Sequence, residues 1–149
     1  MCITGGRFMS TDELKKTILE FAASYSYSNL ITIDSQGFPK SRMMENTAVD
    51  DDMVFYFATF ASSDKVAEIK AQSRVNVFLY RPEDHSSISV SGTADIVADD
   101  AVRQARWQEK WSGFWKEGPS DPEYALVRVV PKKVVYLDYA AHQKEVLEF

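Results

Sequence analysis

The sequence contains a single cysteine, Cys2, so it can build neither an internal disulfide framework nor a cysteine-based zinc site. No apolar run approaches the about 20 residues of a membrane-spanning helix. The opening stretch, MCITGGRFMS, lacks the long apolar region of a secretory signal, so the expected location is the cytoplasm. Neither G-x-G-x-x-G nor a P-loop occurs, which removes the two common glycine-rich phosphate signatures. Basic residues form no stripe and net charge is −5, which argues against a nucleic-acid partner. Histidine is scarce. His85 and His142 stand far apart without carboxylates at metal-ligand spacing, and read as turn and tail residues. Asp84, His85 and Ser86 are chain neighbours, which is not how a catalytic triad meets in space, and no nucleophile elbow accompanies them.

What is present points to a β-rich protein. The 149 residues suffice for one domain with a real core, residues 1–149, centred on about 14–139, with the first ten or so residues flexible. Nine Phe, seven Tyr and three Trp favour strands and leave flat side chains for a planar ligand. Ser10 and Glu13 have capping-box spacing ahead of a helical stripe of Leu14, Ile18, Phe21 and Ala22. NLITI and the segment from Pro39 read as two strands around the Asp34–Gly37 turn, and MVFYFAT as a third.

A short helix, SDKVAEIKAQ, precedes a fourth strand, RVNVFLY. The fifth, SSISVSGTADIV, sets Ile88 and Val90 against serines, with Gly92 marking a bulge or a close backbone approach. Asp99-Asp100 opens a further helix whose spacing predicts Trp107, Trp111 and Trp115 on one face. YALVRVV and KVVYLDY read as two strands separated by Pro131, and the tail AHQKEVLEF as a short helix. The expected architecture is therefore mainly β: a six- to seven-stranded antiparallel split barrel with peripheral helices.

The segment TFASSDKVAEI carries the strongest chemical signal. Ser63 is placed to cap the helix, with Asp64 complementing the dipole and Lys65 in solvent. The same residues would also make an anion cradle. Thr59, Ser62 and Ser63 offer hydroxyls, Lys65 a compact charge, Arg42 a guanidinium, and the helix start its free N–H groups. An inward Asp64 would oppose that use.

Taken in order, FPKSRMMEN, MVFYFATFASSDKVAEI, VNVFLY, ISVSGTADIV and DPEYALVRVVPKKVVYLDY resemble the pyridoxamine 5′-phosphate oxidase-like family of FMN-binding split barrels. The general stress protein 26 branch is the closer likeness, from about Leu14 to Tyr139. The resemblance implies a homodimer with FMN in two clefts at the subunit interface. It places Arg42, Met43 and Met44 at phosphate and flavin edge, Ala58 and Thr59 at the strand end before the phosphate loop, and Ser63 and Lys65 on the phosphate. Trp111 would flank the flavin of the partner subunit, or else pack in the core.

Asp64 stands where the oxidase has Arg, Ser87 where it has Gln, and no Arg-x-His element occurs, since Arg128 is followed by Val129 and Val130. Pyridoxamine phosphate oxidation is accordingly not implied. The expected function is an FMN-binding oxidoreductase with NADH or NADPH as candidate donor. The alternatives are a flavin-binding stress protein without turnover, or the same fold holding a deazaflavin or haem.

Overall fold

The structure is a computed structural model that describes residues 8–47 and 49–149. Helix α1 (Thr11–Ala23) starts at the expected capping box. Ser10 Oγ accepts from the Glu13 amide, and the Glu13 carboxylate accepts from the Ser10 amide. Its buried stripe of Leu14, Ile18, Phe21 and Ala22 packs onto the core. Of the N-terminal stretch expected to be flexible, residues 1–7 lie outside the described residues. The Met9 amide donates to Glu145 at 3.0 Å.

Among the described residues, seven strands form one antiparallel sheet. They are β1 (Tyr27–Ile33), β2 (Pro39–Glu45), β3 (Phe55–Phe60), β4 (Arg74–Arg81), β5 (Ser86–Ile96), β6 (Tyr124–Asp138) and β7 (Gln143–Glu148). The hydrogen-bonded order is β2-β1-β4-β5-β6-β3, with β7 also on β6. The end strands β2 and β3 approach one another without a ladder, so the sheet curls into a barrel that stays split. Its interior is filled by Leu30, Phe57, Val77, Ile88, Val90, Val127 and Val129, all fully buried. Helix α2 (Asp64–Ala71) follows β3, and α3 (Asp100–Arg106) follows β5.

Three expectations need correction. Pro131 does not divide the segment into separate strands, because β6 is continuous. On one side β6 pairs with β5 along its length. On the other, residues 124–129 pair with β3 and residues 133–138 with β7. Pro131 falls in the gap between these partners, where no edge strand needs its missing N–H. Opposite it, the β5 register shifts between Ser91 and Gly92. A Cβ on Gly92 would lie 2.2 Å from the Val130 carbonyl oxygen, so this is the close approach the glycine signalled.

The tail is strand β7 rather than a helix, burying Gln143, Glu145 and Leu147 in alternation. The tryptophans do not share a helix either. Helix α3 ends at Arg106, and Trp111 sits in a separate 3-10 turn, Glu109–Gly113. They still meet. Trp107, Trp111, Trp115 and Tyr124 form an aromatic cluster, with Trp107 and Trp111 edge-to-face at 5.8 Å and the rings of Trp115 and Tyr124 tilted at 5.4 Å.

Candidate functional site

Strand β3 buries alternate residues, which turns Thr59 inward and leaves Phe60 exposed. The chain then bends through residues 61–63 into α2. Ser63 takes the extended backbone of an N-cap but makes no capping bond with its side chain. Its hydroxyl instead lies 3.5 Å from Thr59 Oγ1. The positive end of the α2 dipole thus keeps no side-chain cap.

Lys65, on the first turn of α2, folds back so that Nζ donates to Thr59 Oγ1 at 2.8 Å. Half-burial pushes its pKa below the ordinary lysine value, and the nearby Arg42 charge pushes it further. The Asp64 and Glu68 charges offset part of this depression. The Asp64 side chain is 87% exposed and lies 3.7 Å from Lys40 Nζ. Asp64 thus points toward solvent and Lys40, while its charge still reaches Lys65.

A cavity of about 230 Å³ opens beside this corner. Thr59, Lys65 and Glu45 are its polar groups, while Met44, Ala58, Trp111 and Trp115 form apolar walls and Phe60 and Phe114 stand at the mouth. Trp111 is buried, its indole N–H reaching Glu45 at 3.5 Å. Glu45 is ion-paired with Lys110.

Of the nine residues singled out from sequence, Met44, Ala58, Thr59, Lys65 and Trp111 line this cavity. Ser63 borders it through Thr59. Arg42 lies close enough for its charge to depress Lys65, yet its guanidinium is engaged, Nη1 donating to Thr32 Oγ1 at 2.6 Å and Nη2 lying 3.6 Å from Glu68. Ser62 turns away and donates to Glu123 at 2.8 Å. Met43 alternates to the opposite sheet face, 62% exposed, in a separate hollow with Tyr27, Phe78 and Tyr80. Ser87 is buried and does not line the cavity.

Sequence reasoning missed Glu45, Phe60, Phe114 and Trp115. Only Trp115 had a signal, the tryptophan spacing.

The donor set fits a phosphate monoester carrying a flat ring. Ammonium, hydroxyls and an uncapped helix start suit the phosphate, and Met44 and Trp111 suit the ring. The cavity is smaller than the about 300–1,000 Å³ of drug-sized ligand sites, so these residues supply one portion of an enclosure. No imidazole lines it. His85 Nδ1 is bonded to the Tyr80 hydroxyl and His142 lies in the turn before β7.

The sequence profile of the family described as "Pyridoxamine 5'-phosphate oxidase like" matches residues 12–147. The chain belongs to that family. A curated relative, Protein bli-3 from Neurospora crassa, is 30% identical over 148 aligned positions, covering 91% of this chain and 68% of that protein. General stress protein 26 from Bacillus anthracis is 28% identical with a TM-score of 0.77, over 91% of this chain and 98% of that one.

Two more distant structures share the fold. A pyridoxamine 5′-phosphate oxidase-related, FMN-binding protein from Nostoc punctiforme has a TM-score of 0.71 at 18% identity, over 97% of this chain and 99% of that one. A haem-binding protein from Mycobacterium smegmatis has a TM-score of 0.73 at 12% identity, over 96% of this chain and 60% of that one.

Proposed function

We propose that this family member binds FMN and acts as a flavin-dependent oxidoreductase. The observation that carries the reading is the Thr59–Lys65 corner: a half-buried ammonium hydrogen-bonded to a hydroxyl, at an uncapped helix start, beside an apolar wall. Lys65, Thr59 and Ser63 would hold the phosphate, with Arg42 behind them. Met44, Ala58 and Trp111 would bound the ring and keep water from it. Bound FMN would supply hydride acceptance from a reduced nicotinamide, NADH or NADPH. The chain's own role is binding, orientation and exclusion of solvent.

The partial enclosure supports a homodimer in which a second copy completes each cleft and covers the exposed Phe60 and Phe114. Among the described residues no helix is long and apolar enough to cross a membrane, and the proposed setting is the cytoplasm.

Steady-state oxidation of NADH or NADPH by the FMN-loaded protein, with its mass in solution, tests this reading. Turnover by a dimer supports it. Retained flavin without turnover would replace it with a flavin-carrying role. A deazaflavin would use the same phosphate grip. Haem is less well served, since no imidazole faces the cavity.

A further inference from the structure

Glu68 is a charged residue with an unusual position. It lies on α2, three residues beyond Lys65, and is only 8% exposed. Its Oε2 accepts from the Thr32 hydroxyl at 2.8 Å, and Thr32 is itself fully buried. Its Oε1 is buried and accepts no hydrogen bond, although Lys40 Nζ lies at 3.3 Å and Arg42 Nη2 at 3.6 Å. One face of this carboxylate is thus fixed by a hydroxyl, and the other is flanked by two cations.

We infer that Glu68 is a positioning residue that holds Arg42 in place for a phosphate monoester bound at the Thr59–Lys65 corner. This rests on the phosphate reading above. Arg42 and Lys65 are like charges close enough for one to depress the other. Left alone they would separate, and the long Arg42 side chain would turn to solvent. The Glu68 carboxylate opposes this in two ways: its charge attracts Nη2, and through Thr32 it fixes the oxygen to which Nη1 donates at 2.6 Å. Arg42 also donates to the Lys40 and Leu30 carbonyl oxygens, at 3.2 and 3.4 Å. Because no hydrogen bond saturates Oε1, Nη2 can turn toward an incoming phosphate oxygen without breaking a well-formed bond.

Simple electrostatics gives the opposite expectation. Removing a negative charge beside an anion site should strengthen anion binding; losing the group that orients Arg42 should weaken it. Titrations of FMN and of riboflavin, its phosphate-free analogue, against wild type and Glu68→Gln distinguish the two. The expected result is FMN affinity down about tenfold with riboflavin affinity unchanged. In an Arg42→Ala background, Glu68→Gln should add nothing.

Thr32→Val, which removes the hydroxyl link at nearly constant volume, should give the same signature and serves if Glu68→Gln fails to fold. Tighter or unchanged FMN binding by Glu68→Gln overturns the inference, as does an equal loss of both ligands. Wild type that fails to prefer FMN to riboflavin would instead overturn the phosphate reading itself.

Discussion

Lys65→Met removes the ammonium while keeping most of the aliphatic stem that its half-buried position requires. The ammonium has one hydrogen-bond acceptor, Thr59 Oγ1 at 2.8 Å, and its pKa is lowered mainly by burial. A cation held this way gains more from a phosphate than a solvated surface lysine would. A hydrogen bond to a charged group contributes about 1.5–3 kcal/mol, so the FMN dissociation constant should rise roughly ten- to a hundredfold.

The pH dependence has a definite sign. Phosphate favours the charged amine, so binding draws a proton onto Lys65 and raises its pKa. Affinity is full while the free protein's Lys65 is protonated, and falls as pH rises through its depressed value. Flavin fluorescence titrations across the alkaline range read both effects, and Lys65→Met should abolish this dependence. Unchanged affinity in a folded Lys65→Met variant would refute the reasoning and return Lys65 to a surface role.

Trp111→Ala opens a large cavity in the aromatic cluster and should cost about 3–5 kcal/mol by chemical denaturation, with flavin affinity or dimerisation lost as well. Gly92→Ala places a Cβ 2.2 Å from a backbone oxygen that cannot move aside, so its loss of stability should reach or exceed the about 1–3 kcal/mol of ordinary overpacking. Two Arg81 hydrogen bonds, at 2.9 and 2.8 Å, and the Ser86 amide hold the Asp84 pKa well below the usual carboxylate range. That stabilisation is present above the unfolded aspartate pKa and is lost as pH falls toward the depressed folded value. Thermal midpoints from about pH 6 to about pH 2 should therefore fall more steeply for wild type than for Asp84→Asn.

The sheet was legible wherever one strand face is apolar and the other polar, as in Ile88 and Val90 against Ser89 and Ser91. Strand β7 was not, because two of its three inward positions, Gln143 and Glu145, are polar. The Glu145 carboxylate accepts from Met9 and Gln143, partners no local pattern reveals. Pro131 read as a boundary because proline cannot serve a ladder on both sides. It is tolerated only because β3 ends and β7 begins on either side of it.

The Thr59–Lys65 corner could be read from residue types at a strand-to-helix junction. The commitment of Ser62 to Glu123 could not, since that acid lies 61 residues away. Glu68 was hidden for the same reason. On a short helix it looks like a solvated charge, and only the folded hairpin of β1 and β2 brings Thr32, Lys40 and Arg42 against it.

The central claim is that the Thr59–Lys65 corner and the Trp111 wall together hold FMN. The visible absorption spectrum of the purified protein, taken before and after adding FMN and desalting, tests it most directly. Oxidised-flavin bands retained at about one flavin per chain are the predicted result. A colourless protein that releases all added FMN would contradict the claim and leave this corner as no more than the start of a helix.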